Sequence, residues 1–151
     1  MPGVVVFTPI DFEHQTLAEG LARSGFDPTQ RAFFTWLGVV PYLTEHTALK
    51  TLGFIASLSG GAHVVFDYAN PPQAMSGEAR AAHDELAARV LSVGEPFRTY
   101  WETEPLHARL RDLGYRQLED LGPVGIVARF LPGRVGIVSD RGGHILHAST
   151  G

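Results

Sequence analysis

Two aspartates stand where an apolar run of the sequence ends, and their side chains are the best candidates for ligand chemistry. Asp11 follows the run that begins at Val4, and Asp67 ends the run His63–Tyr68. A carboxylate at the carboxyl end of a strand can contact a ligand bound there. Aspartate in such a place also serves simply to cap the turn that follows. Both interpretations stay open for each residue.

One histidine and three aromatic residues are the other candidates. His14 comes just after Asp11 and is the histidine best placed to act as a base. Phe12, Trp36 and Tyr42 could stack against a flat ring, although aromatic residues in such segments are more often part of a core.

The closest histidine pair, His144 and His147, does not predict a metal site. Residues three apart on a strand point to opposite faces, so these two side chains cannot share one ion. Three further histidines are predicted to be solvated on helix surfaces, and four acidic residues are predicted to be surface charge without a role. The histidines are His46, His83 and His107, and the acidic residues are Glu102, Glu104, Glu119 and Asp120.

Composition describes one soluble domain covering residues 1–151, with 44% hydrophobic and 19% charged residues. Twelve basic against sixteen acidic residues give a net charge of −4, without a basic run, which argues against nucleic-acid binding. No apolar stretch reaches the length of a membrane span. The absence of cysteine excludes thiolate chemistry and fits a cytoplasmic location.

Common motifs of nucleotide-binding enzymes and hydrolases are absent. The sequence has no Gly-x4-Gly-Lys-Ser/Thr loop, no Gly-x-Gly-x-x-Gly turn and no Gly-x-Ser-x-Gly nucleophile turn. The candidate residues therefore do not belong to any of these three sites.

Three apolar runs separated by helical patterns must position these residues. The runs Val4–Phe7, Ala32–Val40 and His63–Tyr68 predict strands of a parallel sheet, because helices between strands make crossover connections. Ligands bind such sheets beyond the carboxyl ends of the strands. Helices are predicted over Glu13–Ser24, from Thr44 to Gly60, over Ser76–Leu91 (with Ala82, Leu86, Ala87 and Val90 inward) and over Thr103–Leu113, with a short turn or helix at Val124–Leu131.

Several segments, in this order and spacing, resemble one family. They include Asp11-Phe12-Glu13, Gly25-Phe26-Asp27-Pro28, residues 33–44, Val64-Val65-Phe66-Asp67-Tyr68 and Leu118-Glu119-Asp120-Leu121-Gly122-Pro123. The pattern is similar to the leucine carboxyl methyltransferase family in its broad bacterial sense, S-adenosylmethionine-dependent O-methyltransferases. The resemblance runs nearly end to end, but only to the carboxyl-terminal part of a family member.

This resemblance implies an α/β fold with a partial class I methyltransferase (Rossmann-like) sheet. The family's seven strands have the order 3-2-1-4-5-7-6, and this chain would lack the first two. Its sheet would be mostly parallel with an antiparallel last strand. Strands three to seven would be Val4–Thr8, Phe33–Val39, His63–Tyr68, Arg116–Asp120 and His144–Ser149. A simple hairpin around residues 140–143 would also suit the tail, but the family pattern is preferred.

Six site residues follow from the resemblance. Asp11 and Phe12 would contact the adenine of S-adenosylmethionine, Trp36 and Gly38 would lie near its methionine part, and Tyr42 and Asp67 would lie on the acceptor side. Many family members have a glutamate where this chain has Leu37. No catalytic residue is assigned.

The expected function is that of a truncated or partial S-adenosylmethionine-dependent O-methyltransferase, impaired by itself. The family's glycine-rich loop and second strand, which hold the methionine and ribose, would precede Met1. The acceptor would be a small molecule with a hydroxyl or carboxylate group. One alternative is a non-catalytic module whose open strand-four edge, with Phe33, Phe34 and Trp36, is covered in a homodimer. Another is one half of a split methyltransferase.

Overall fold

A computed structural model describes residues 5–12, 14–75, 77–134, 136 and 139–151. The described residues form α-helices and one four-stranded sheet. The elements are α1 (Leu17–Arg23), β1 (Ala32–Trp36), α2 (Glu45–Ala56), β2 (Ala62–Ala69), α3 (Gly77–Ser92), α4 (Thr103–Asp112), β3 (Gln117–Leu121), α5 (Pro123–Phe130) and β4 (Gly143–Ser149). Single 3₁₀ turns at Val40–Tyr42 and Pro72–Ala74 follow β1 and β2.

The sheet has the strand order β1-β2-β4-β3. β1 and β2 are parallel, whereas β4 is antiparallel to both of its neighbours. Strands β1, β2 and β3 therefore point the same way and β4 points against them. This is the predicted order of family strands four, five, seven and six, so the fold class is confirmed, and β4 pairs with two strands rather than forming a hairpin.

One face of the sheet carries the core. Val64 and Phe66 of β2 are fully buried, because α2 and α4 cover them with residues such as Leu52 and Leu110. The opposite face is less covered: Phe33 of β1 is 63% exposed. Among the described residues, helices pack on one face of the sheet, and the other face is more exposed to solvent.

The predicted strand at Val4–Thr8 is wrong for its described part. Residues 5–8 have no regular structure, and Phe7 is 92% exposed. Val4 lies outside the described residues. An apolar, β-branched run becomes a strand only where a neighbouring strand accepts its backbone hydrogen bonds. Within the described ranges, no strand pairs with this segment.

Helix α1 begins later than predicted, because Thr16 caps it. The Thr16 hydroxyl accepts a hydrogen bond from the Glu19 N–H, and the Glu19 carboxylate accepts one from the Thr16 N–H. This capping box sets the start at Leu17. Two helices are predicted to start at Glu13 and Ser76, and both of these residues lie outside the described ranges. Helix α5 matches the predicted short helix near Val124–Leu131.

No helix in the described parts of the chain combines the length and the apolar character that a membrane crossing needs.

Candidate functional site

A cavity of about 1050 Å³ opens at the carboxyl ends of β1 and β2. Three of the six predicted site residues line it: Gly38, Tyr42 and Asp67. Helix α3 and the first residues of β4 form much of the remaining wall. Parallel strands present their carboxyl ends at one sheet edge, where α/β proteins bind ligands.

Asp67 holds the turn that leaves β1. Its Oδ1 accepts a hydrogen bond from the Gly38 N–H at 2.6 Å. Gly38 has a φ of 71°, in the left-handed region that favours glycine. Asp67 therefore lines the cavity and also holds the backbone of the turn at Gly38.

Phe12 and Trp36 lie together next to this turn. Their ring centroids are 6.0 Å apart, with the rings tilted by 44°. Trp36 is 9% exposed, and its indole Nε1 has no hydrogen-bond partner among the described atoms. A buried N–H without a partner costs free energy, and Nε1 of Trp101 shares this state.

Asp11 and His14 lie apart from the cavity lining. Asp11 lines a shallow cleft together with Pro9 and Arg23, and its Oδ2 is 2.8 Å from His14 Nδ1. Both side chains are largely exposed. The structure thus brings Phe12, Trp36, Gly38, Tyr42 and Asp67 to one region, and places Asp11 and His14 on the segment that leads into it.

A buried polar cluster, which the sequence analysis missed, supports the wall formed by β2 and β4. Asp120 of β3 contacts His144 Nδ1 at 2.8 Å, His107 Nε2 at 2.7 Å and the Tyr68 hydroxyl at 2.7 Å. The Asp120 side chain is only 8% exposed. Asn70 completes the cluster through His144 Nε2 at 2.9 Å.

The contacts of Asn70 define the protonation of His144. The Asn70 side-chain oxygen accepts from the Gly142 N–H, while its amide nitrogen donates to the Trp101 carbonyl. His144 Nε2 must therefore donate to that oxygen, and Nδ1 donates to the Asp120 carboxylate. His144 is an imidazolium paired with a buried carboxylate.

Hydrogen bonding also sets the charge of Asp120. Burial raises the pKa of its carboxyl, but hydrogen bonds from His144, Tyr68 and His107 outweigh burial and leave the pKa below its usual value of 3.8. Burial and the contact with Asp120 raise the pKa of the Tyr68 hydroxyl, which keeps its proton and donates it. The cluster ties the end of β2 to β3, β4 and α4.

The expectation that His107 and Asp120 are surface residues is wrong. Both stand on the sides of α4 and β3 that face each other, and the His107 side chain is 15% exposed. By contrast, His144 and His147 point to opposite faces as predicted: His144 is buried, whereas His147 Nε2 lies 3.1 Å from His63 Nδ1 on the other face.

The described sheet has the strand order of part of a Rossmann-like fold of the kind found in methyltransferases. The chain is similar to a SAM-dependent methyltransferase from Thermotoga maritima, described as a possible histamine N-methyltransferase, with a TM-score of 0.50 and 9% identity. That match covers 89% of this chain and 69% of the other. At this identity the likeness concerns the fold.

A second solved structure, a possible exported protein from Bordetella parapertussis, has a TM-score of 0.49 and 17% identity. The match covers 88% of this chain but 47% of that protein, so the chain spans about half of its length. No curated protein matches the chain significantly.

Residues 1–56 match the family described as leucine carboxyl methyltransferase. The family resemblance is thereby confirmed over that segment. It contains five of the six predicted site residues, Asp67 being the sixth.

Proposed function

We propose that this chain provides the acceptor-side part of an S-adenosylmethionine-dependent O-methyltransferase acting on a small molecule. The observation that carries the proposal is the cavity at the carboxyl ends of β1 and β2, next to the Phe12–Trp36 pair. Fold and family both support methyl transfer as the chemistry. With no cysteine in the chain, we also propose a cytoplasmic location.

The residues present fit one part of the cofactor. Phe12 and Trp36 form an aromatic pair at the end of β1, and an aromatic ring there suits a flat heterocycle such as adenine. Asp11 lies one residue away and would contact the same group. Gly38 carries no side chain and a Cβ there would meet open space, so the backbone is accessible to the methionine part.

Other cofactor contacts have no counterpart in the sequence. It contains no Gly-x-Gly-x-x-Gly turn, and Leu37 offers the cofactor's ammonium group no charge. Asp67 is occupied by the Gly38 N–H. When bound, S-adenosylmethionine supplies an activated methyl group, so the protein contributes mainly by orienting the acceptor. We therefore propose that the chain alone binds the cofactor weakly and transfers methyl groups poorly.

Titration with S-adenosylmethionine and S-adenosylhomocysteine tests both parts of the proposal. Calorimetry of the chain is expected to give a Kd weaker than about 1 mM. In NMR spectra, the indole N–H signal of Trp36 is expected to shift during the same titration, because the Trp36 ring packs on Phe12 at the proposed adenine position. The signal of Trp101, whose Nε1 also has no partner among the described atoms, is expected to stay in place.

The titration tests the affinity for the cofactor and the position of its site separately. Tight binding contradicts the impairment of the isolated chain but keeps the cofactor. An unchanged Trp36 signal at saturating ligand contradicts the cofactor site itself.

One observation favours a second candidate function, a non-catalytic module that forms a homodimer. β1 is an edge strand of the sheet in the described residues, and Phe33 on it is 63% exposed. An open apolar edge favours pairing with another strand. Light scattering after size-exclusion chromatography distinguishes this candidate, since a monomer at high concentration contradicts it. A separate polypeptide that completes the sheet would make the chain half of a split methyltransferase.

A further inference from the structure

One wall of the cavity holds a chain of hydrogen bonds that neither the cofactor contacts nor the buried Asp120 cluster uses. His83 Nε2 lies 2.9 Å from the Tyr100 hydroxyl, and both residues line the cavity. His83 Nδ1 lies 3.1 Å from Asp84 Oδ1. Arg80 Nε donates to both oxygens of Asp84 at 2.9 Å.

The His83 side chain is mostly covered although its helix is mainly exposed. It is only 10% exposed, whereas the Asp84 side chain is 53% exposed. The prediction that His83 is a surface histidine is therefore wrong. Helix α3 turns this side chain toward Phe97 and Tyr100, at centroid distances of 5.9 and 5.5 Å.

The contacts of His83 make Nε2 the hydrogen-bond acceptor of its ring, at the cavity wall. Hydrogen bonds from His83 and Arg80 hold the pKa of Asp84 below its usual value, so Asp84 is a carboxylate that accepts the Nδ1 proton. Burial and the charge of Asp84 raise the pKa of Tyr100, which therefore keeps its proton. Tyr100 must then donate to Nε2, and the Nε2 lone pair is the acceptor.

The cavity around this nitrogen suits a flat, uncharged ligand. Tyr42 and Phe97 pack with centroids 5.4 Å apart, and Phe97 meets Tyr100 edge-on at 6.4 Å. No lysine lines the cavity among the described residues, and the carboxylates of Asp67 and Glu78 do. The charges in the described lining balance, since Arg134 and the His144 imidazolium stand against these two carboxylates, so the wall favours neither an anionic nor a cationic ligand.

We propose that the cavity binds a neutral hydroxyaromatic compound whose hydroxyl group takes the place of the Tyr100 hydroxyl at His83 Nε2, and that His83 is the catalytic base for that hydroxyl. The O–H bond breaks with its electron pair remaining on the oxygen, and the proton forms an N–H bond with the Nε2 lone pair. Asp84 compensates the charge of the resulting imidazolium. The inference rests on the proposed function, because the oxygen anion is the nucleophile that a sulfonium methyl group requires.

The strength of the base selects the class of hydroxyl. A phenol has a pKa of about 10, as tyrosine does, while histidine has one of about 6.5. That gap is small enough for proton transfer in a transition state. An aliphatic alcohol, near the pKa of about 15.7 for water, lies far beyond it, and a carboxylate acceptor needs no base. Asp84 is a positioning residue, acting through His83 Nδ1.

The test uses the full chain and 4-nitrophenol, whose phenolate form has its own absorption band. Without any methyl donor, the bound probe is expected to show a larger phenolate fraction than the free probe at the same pH. His83→Gln is expected to reduce that enhancement about tenfold or more, the worth of one hydrogen bond to a charged group. Asp84→Asn is expected to lower it while leaving the affinity for the neutral probe nearly unchanged.

The matched control is His46→Gln, which changes an exposed histidine on α2 and is expected to behave as the wild type. Absence of probe binding overturns the proposal, as does an equal phenolate fraction in the wild type and His83→Gln when circular dichroism shows both folded. Stronger binding of 4-nitrobenzoate than of the phenol also overturns it, in favour of a carboxylate ligand. The probe experiment uses no methyl donor. A failed S-adenosylmethionine titration would therefore contradict the proposed function without contradicting the role of His83, and the two failures can be told apart.

Discussion

Replacement of Asp120 by alanine is expected to lower the free energy of unfolding by about 3–5 kcal/mol, the cost of removing one partner from a buried ion pair. His144 would remain as a buried imidazolium without its carboxylate, and the His107 and Tyr68 donors would lose their shared acceptor. Urea unfolding followed by circular dichroism measures the loss.

The matched control is Glu119→Ala, the preceding residue on β3. The Glu119 side chain is 54% exposed and pairs with Arg129 on the surface. Its removal is expected to cost less than about 1 kcal/mol. Equal losses for the two variants would mean that the Asp120 cluster contributes no more than a surface pair.

The contribution of Asp120 to the free energy of unfolding is also expected to depend on pH. The pKa of Asp120 in the folded chain lies below its usual value, and the unfolded chain has the usual value. Its stabilising contribution is therefore fully present above the unfolded pKa and is lost as the pH falls through the folded pKa. The stability difference between the wild type and Asp120→Ala should narrow in acid, and a constant difference contradicts the assigned charge.

Replacement of Phe66 by alanine is expected to cost about 3–5 kcal/mol, because a fully buried ring leaves a cavity that the core cannot close. Phe66 lies on the face of β2 that α2 and α4 cover. The measurement is again the free energy of unfolding from urea titrations.

Phe33→Ala is the matched substitution on the uncovered face. For a monomer it is expected to cost less than about 1 kcal/mol, because the ring is already 63% exposed. If a second copy covers β1, this variant should instead dissociate the dimer and lose stability in a concentration-dependent way. A large concentration-independent loss at Phe33 contradicts both the exposed face and the dimer.

Local patterns were sufficient for the strands and helices that carry strong signals. The apolar runs at β1 and β2 and the Thr44 cap of α2 define these elements, because strand and helix signals depend on near neighbours in the chain. The family motifs added the order of the four strands, including the antiparallel β4. Five predicted site residues lie near one sheet edge. Three of them, Trp36, Gly38 and Tyr42, lie at or just after the end of β1, so their closeness follows from their closeness in the sequence.

The sequence by itself thus determined the class of fold and the region of the site. Only the tertiary structure decided what covers each face. The sequence predicts His83, His107 and Asp120 on the surface, but contacts of His83 with Phe97 and of His107 with Asp120 leave their side chains mostly covered. Residues 5–8 were expected in a strand, yet no described strand pairs with them. Burial and strand pairing depend on residues distant in sequence, and a local pattern does not contain that information.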